Sequence, residues 1–272
     1  MRGLAGRFLV VAALFGLALQ PAASAEQIVK FANAAPRSQH ADASNGEPDI
    51  QGYLTQPRGD GPFAAVVLLH SCLGLPADRR SIGDMFARWG YVALFVDDFT
   101  TRRLEQTCAV DFPQGLADAF GALVFLSTVR YVDPNRIAAI GWSQGADTAL
   151  EIASLRPGSS FAVPGDLKFR AAAGFYPPCD NRADAGLQIP TLILIGGSDA
   201  VTPAADCERL AKRQPGDRSV KLVVYPGADH EFDNREFVGG KSLFGMWLKY
   251  DADAAKRSRA ELRDFLAAML DR

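Results

Sequence analysis

Histidine is scarce in this chain, with three residues in 272, at positions 40, 70 and 230. Any chemistry that needs an imidazole base therefore has few places to draw on. Cysteine is also sparse, at four residues, and no C-x-x-C or H-x-x-x-H spacing occurs, which excludes the usual zinc frameworks. Beyond residue 25 no apolar run approaches the length that crosses a bilayer. Lysine and arginine form no stripe, so a nucleic-acid surface is excluded. The densest basic stretch (Lys256, Arg257, Arg259, Arg263) alternates with Glu261 and Asp264, the pattern of a solvated helix face. There is no internal repeat and no low-complexity tract.

The N-terminus reads as a secretory leader over residues 1–25. Arg2 and Arg7 give a basic start, Phe8 to Leu19 form an apolar stretch of 12 residues, and Ala23-Ser24-Ala25 is an A-x-A cleavage pattern. That stretch is too short for a comfortable membrane span, and cleavage would leave no stable membrane insertion. Its removal takes away two arginines and no acid, moving the formal net charge from −2 to −4. An exported, periplasmic or secreted protein is expected, in which four cysteines make two disulfides; sequence alone leaves their pairing open. Residues 26–272 suit a single domain.

Nearly continuous apolar runs recur at Ala64–Leu69, Tyr91–Val96, Ile137–Ile140, Ala171–Phe175, Thr191–Ile195 and Val220–Tyr225, as in strands buried on both faces. Helical stripes lie between them: Ile82, Met85, Phe86 and Trp89 within 77–89, and Leu116, Phe120, Leu123 and Val124 within 114–130. Thr202-Pro203 reads as an N-cap followed by proline at the first helical position, opening a helix through Ala211. Leu262, Phe265, Leu266 and Met269 mark a final helix. The alternation predicts an α/β fold with a doubly wound, mostly parallel sheet and helices on both faces. Residues 28–31 and 50–54 are expected as antiparallel edge strands, with 33–48 as loop.

Gly141-Trp142-Ser143-Gln144-Gly145 follows the run ending at Ile140 and precedes a helical pattern over Ala146 to Leu155. A G-x-S-x-G on a strand-to-helix turn exposes a serine hydroxyl and sets the next N–H, that of Gln144, at a helix N-terminus facing developing negative charge. A serine needs a base. His230 is the candidate, on the loop after Val220–Tyr225, where the C-terminal strand ends of parallel sheets gather ligands. His40 lies in a polar loop, and His70 is expected to shape the oxyanion loop. Asp199, directly after Thr191–Ile195, is the candidate acid, completing the order Ser143, Asp199, His230. Asp180 and Asp184 are second choices, Asp229 is too close in sequence to reach the ring, and Asp97 and Asp98 are expected to cap or hold a loop. The second oxyanion donor is placed at the N–H of Cys72, in the loop after Leu69.

Leu69-His70-Ser71-Cys72-Leu73-Gly74-Leu75, the serine pentapeptide, Gly197-Ser198-Asp199 and Pro226-Gly227-Ala228-Asp229-His230-Glu231-Phe232 together resemble the dienelactone hydrolase family of α/β-hydrolases over about residues 50–270. The resemblance implies position 143 as nucleophile, Asp199 as acid, His230 as base, and the N–H groups of Cys72 and Gln144 as oxyanion donors. Two positions depart from the family's pattern. Ser143 stands where its best-studied members carry cysteine, and Ser71 stands where they carry an activating glutamate, so the resemblance points to a general ester hydrolase. The family's strand order implies the pairings Cys72–Cys108 and Cys179–Cys207.

The expected activity is hydrolysis of a small-molecule carboxylic ester or lactone through an acyl-enzyme, with no metal and no organic cofactor. The oligomeric state is left open. Trp142, Phe232 and Ser71 are candidates for substrate contact, with aromatic packing the alternative for the first two. Residues 232–250 are rich in aromatics and either line a pocket, form a flap or pack the last helix. A lipase-like or peptidase-like enzyme is the rival within the fold, and a non-catalytic binding protein the rival outside that class.

Overall fold

The apolar runs become the strands of one eight-stranded sheet in a computed structural model, which describes residues 25–34, 49–110, 112, 115–156, 161, 163–180, 186–214 and 220–271. The leader up to residue 24, most of the expected loop 33–48 (with His40) and Asp184 lie outside the described residues. The strands are β1 Gln27–Phe31, β2 Ile50–Thr55, β3 Phe63–Leu69, β4 Val92–Asp97, β5 Val132–Trp142, β6 Ala171–Phe175, β7 Thr191–Gly196 and β8 Val220–Tyr225. They are ordered β1-β2-β4-β3-β5-β6-β7-β8. From β3 to β8 all pairings are parallel, while β1 and β2 add antiparallel at one edge.

Among the described residues, five α-helices cover this sheet: α1 Arg79–Arg88, α2 Gly115–Thr128, α3 Gln144–Ser154, α4 Ala204–Arg213 and α5 Ala252–Leu270. Strand β3 shows why its sequence is apolar at every position. Side chains alternate across a strand, and here both faces are covered. Val66 and Leu68 pack with Phe86 of α1 and Leu262 and Leu266 of α5. Val67 and Leu69 pack with Ala119, Leu123 and Leu126 of α2. Each large side chain buried in this way stabilises the fold by roughly 1.5–3 kcal/mol. The architecture is that of an α/β-hydrolase.

Two local expectations need correction, and one left open is resolved. Strand β5 begins at Val132, well before the apolar run, because Val132 pairs with Phe63. Pro203, not Thr202, occupies the N-cap of α4, and no side chain caps that helix. The Thr202 hydroxyl instead turns to the Asp199 carboxylate, a stronger partner than a backbone N–H. The aromatic stretch 232–250 divides in two. Phe232, Phe237 and Leu248 are buried, whereas Val238, Phe244 and Trp247 are exposed on or beside a hairpin of β9 Lys241–Leu243 and β10 Met246–Leu248.

Because β3 and β5–β8 run parallel, the loops leaving their C-terminal ends meet at one rim. The cysteines pair as Cys72–Cys108 and Cys179–Cys207. The first bridge ties the loop after β3 to the loop after β4; the second ties the loop after β6 to α4. Among the described residues, no helix is long and apolar enough to cross a membrane.

Candidate active site

Ser143 is the turn residue between β5 and α3, at φ 49° and ψ −112°. A non-glycine residue there is strained, and two close approaches hold it. A Cβ at Gly141 would run into the carbonyl of Gly145, and a Cβ at Gly145 into the carbonyl oxygens of Leu69 and His70. Glycine at 145 therefore lets the loop after β3 press against the start of α3. The Ser143 N–H donates to the Phe175 carbonyl at 2.9 Å, tying the turn to the end of β6.

His230 comes from the loop after β8, and its carbonyl accepts from Lys249 N–H at 3.0 Å. Its Nε2 lies 3.0 Å from Ser143 Oγ, and its Nδ1 lies 2.7 Å from Asp199 Oδ2. A carboxylate can only accept, so Nδ1 carries the proton and Nε2 offers its lone pair to the serine hydroxyl. Asp199 is fixed in turn: Oδ1 accepts from the N–H groups of Val201 at 2.9 Å and Thr202 at 2.8 Å, and Oδ2 accepts from Thr202 Oγ1 at 2.9 Å. All three side chains are nearly closed to solvent, with Ser143 the most open at 9 % exposure. The structure thus brings Ser143, His230 and Asp199 together. Asp180 is exposed and Asp229 half-buried, neither bonded to the ring. Asp97 Oδ1 accepts from Thr100 N–H at 2.9 Å and holds the turn after β4.

Gln144 opens α3, so its N–H is among the donors left free at a helix start. Cys72 sits in the opposing loop, where Ser71 and Gly74 form a tight turn. Thr107 clasps both candidate oxyanion residues. Its N–H donates to the Cys72 carbonyl at 2.9 Å and its hydroxyl to Gln144 Oε1 at 2.7 Å. His70 Nδ1 donates to the Ser71 carbonyl at 2.8 Å, its ring edge-on to Phe99, so it braces this loop from behind. Burial lowers its pKa.

Adjoining Trp142 and Tyr176, the neighbours of Ser143 and His230, lies a small cavity of about 90 Å³, lined by Ser71, Leu75, Met85, Trp142, Tyr176 and Glu231 among others; Ser143, Asp199 and His230 themselves are not in its lining. Two of the three candidates for substrate contact therefore face it, Trp142 and Ser71. Phe232 does not. It is wholly buried among Phe175, Tyr176 and Tyr225 and belongs to the core, because residue 232 points to the opposite side of the loop from Glu231 and Asp233. Trp142 also stacks on Phe175 and donates through Nε1 to Asp233 Oδ2 at 2.9 Å.

The sequence assigns no site role to Tyr176, Glu231, Asp233 or Thr107, and it marks Thr202 only as a helix cap. Tyr176, at φ 42°, lays its ring against His230 with centroids 4.6 Å apart. Its hydroxyl lies 2.8 Å from Asp233 Oδ1 and 3.3 Å from Glu231 Oε2. Burial, then the two neighbouring carboxyls, raises the Tyr176 pKa well above the ordinary phenol value. Burial also raises both carboxyls. A polar aromatic just past a strand's C-terminal end, and acids directly after the base, were the available signals. Among the described residues no group of three His, Cys, Asp or Glu side chains is arranged to hold a metal ion.

A family model described as the dienelactone hydrolase family matches residues 50–270. Cutinase 1 of Thermobifida cellulosilytica is 28 % identical over 212 residues, covering 74 % of this chain and 73 % of that protein. Two solved structures share the fold. A dienelactone hydrolase-like promiscuous phosphotriesterase from metagenomic libraries gives a TM-score of 0.68 at 19 % identity, covering 90 % of this chain and 99 % of that one. Esterase 2 of Thermogutta terrifontis gives 0.59 at 22 % identity, covering 87 % and 94 %. With the matched span running from β2 to the end of α5, this chain belongs to the dienelactone hydrolase family and is a carboxylic-ester hydrolase.

Proposed function

We propose that this protein is an exported serine esterase that cleaves a small carboxylic ester or lactone through an acyl-enzyme, with Ser143, His230 and Asp199 as its triad. The observation that carries the reading is the unbroken relay from Ser143 Oγ through His230 to Asp199, at 3.0 and 2.7 Å. Ser143 Oγ attacks the ester carbonyl as its proton passes to His230 Nε2. The carbonyl oxygen becomes an oxyanion received by the N–H groups of Cys72 and Gln144. His230 then gives its proton to the departing alcohol, leaving the acyl group on Ser143. Water, deprotonated by His230, attacks the acyl carbon and frees the acid and Ser143. Asp199 steadies the imidazolium at both stages without taking its proton.

Export is supported by the leader pattern at residues 1–25 and by two disulfides, which persist in oxidising compartments. The single-domain reading of 26–272 is supported by the one large sheet that spans the described chain. A cavity of about 90 Å³ suits a short acyl or alkoxy group; drug-sized ligands occupy pockets of roughly 300–1,000 Å³. In the purified protein lacking residues 1–25, Ser143→Ala is expected to lower hydrolysis of p-nitrophenyl acetate by at least about 10³-fold. A fluorophosphonate probe is expected to label wild type at Ser143. Near-wild-type turnover in the variant would overturn the assignment.

A further inference from the structure

Glu231 and Asp233 take no part in the relay, yet both line the cavity beside it. They are held by neutral donors alone. Tyr176 offers one phenolic proton to the two carboxyls, Trp142 Nε1 reaches Asp233 Oδ2 at 2.9 Å, and Asn234 Nδ2 reaches Glu231 Oε2 at 3.0 Å. Among the described residues, no lysine or arginine forms an ion pair with either. Asp78 and Glu236 add further acid to the rim, and Arg259 is the cation of the lining. Leu75, Ile82, Met85 and Leu262 supply apolar wall, and His70, Ser71 and Asn234 neutral polar wall. Where the wall is ionised, a carboxylate brought into this space meets four acids against one cation, Arg259, and a poorly solvated site screens that repulsion weakly. A neutral chain loses nothing there, and a cation gains.

We propose that the Glu231–Tyr176–Asp233 cluster is the specificity wall of the esterase pocket, admitting uncharged or cationic ester portions and rejecting those that carry a carboxylate. The proposal rests on the catalytic reading above, because the wall acts only if the cavity it lines is the one that serves Ser143. It assigns the cluster to ground-state selection, so discrimination falls on KM more than on kcat.

The test compares size-matched esters. One series places the charge on the acyl part, with p-nitrophenyl butyrate, hemisuccinate and β-alaninate, each rate divided by that of hydroxide hydrolysis. The other places it on the alcohol part, with propyl, 2-carboxyethyl and 2-ammonioethyl acetates, normalised in the same way. The anionic member is expected at least about 10-fold below the neutral one in kcat/KM in one series or both, a difference of about 1.4 kcal/mol. The cationic member is expected to match or exceed the neutral one. Rejection in a single series supports the wall and tells which half of the ester it receives.

Burial raises both wall carboxyls above their ordinary range, so a higher pH ionises them further while the substrate carboxylate stays ionised, and the anion-to-neutral ratio is expected to fall as pH rises. The double isostere Glu231→Gln/Asp233→Asn is expected to bring that ratio toward one, read only on protein that still labels with the fluorophosphonate. Equal rates for anionic and neutral esters in both series would overturn the proposal, as would an unchanged ratio in the labelled double variant. Either result, with activity still dependent on Ser143, leaves the catalytic reading intact. Turnover by Ser143→Ala strikes that reading instead.

Discussion

Thr202 shows how one side chain can orient the proposed base through its carboxylate partner. Asp199 Oδ2 receives both His230 Nδ1–H and the Thr202 hydroxyl, while Oδ1 receives two backbone N–H groups. The carboxylate therefore has its orientation set before the imidazole arrives. A hydrogen bond to a charged group is worth about 1.5–3 kcal/mol, so Thr202→Val is expected to lower kcat by about 10- to 100-fold with KM little changed. Thr202→Ser keeps the hydroxyl and should recover most of the loss. Steady-state kinetics on p-nitrophenyl acetate decides it, and a valine variant within threefold of wild type would show that the backbone donors suffice. Gly145 acts at the same scale through space alone. An added methyl meets the carbonyls of Leu69 and His70, backbone atoms that cannot swing aside. Gly145→Ala is expected to lose most activity and to lower the melting temperature by several degrees, as an overpacking cost of about 1–3 kcal/mol requires.

At the scale of elements, the strands were legible because each interior one is buried on both faces and so is apolar almost throughout, as Ala64–Leu69 and Tyr91–Val96 illustrate, while the half-buried edge strand β8 shows the same β-branched run broken by Lys221. Ser143, Asp199 and His230, the proposed triad, could be picked out because each lies on a turn or loop leaving the C-terminal end of a strand of this sheet. Thr202 was misread because a threonine before a proline carries a strong local helix signal, whereas its actual partner is set by the tertiary turn around Asp199. Tyr176 and the two acids after His230 were invisible for a related reason: only the packing of the loop after β6 on the loop after β8 makes them one cluster. The loop after β4 is another element whose role emerges only in space. Through Cys108 and Thr107 it grips the backbone of Cys72 and the side chain of Gln144. Replacing the bridge with Cys72→Ser/Cys108→Ser should therefore act on kcat more than on KM. The expected loss is up to about 100-fold, the scale of one oxyanion donor, with stability lowered by about 2–4 kcal/mol. A double variant that is less stable yet fully active would mean that the loop keeps its place without the bridge.

For the molecule as a whole, a second buried charge cluster sets how stability responds to pH. Arg102 pairs with both oxygens of Asp118, at 2.6 and 3.0 Å, while Asp98 is buried beside Asp118 and lies 3.8 Å from His70 Nε2. One guanidinium serves two carboxyls here. Burial pushes Asp118 up to about 8 and Asp98 up to about 6, partly offset by Arg102. Unfolded aspartates titrate near pH 4, so between about pH 4 and 8 the folded chain holds more protons than the unfolded one. Stability therefore falls as pH rises through that window and levels off above it. His70 works in the opposite sense on the acid side. Its lowered pKa means that the unfolded chain binds the extra proton below about pH 6.5, so acidification also costs stability. Denaturant unfolding with the disulfides intact should show ΔG declining from pH 6 to pH 8. Asp98→Asn removes the like charge beside Asp118 but leaves Arg102 its partner, so the decline across this interval should flatten. If the variant declines as steeply as wild type, the alkaline loss arises elsewhere and Asp118 is held ionised by Arg102 alone.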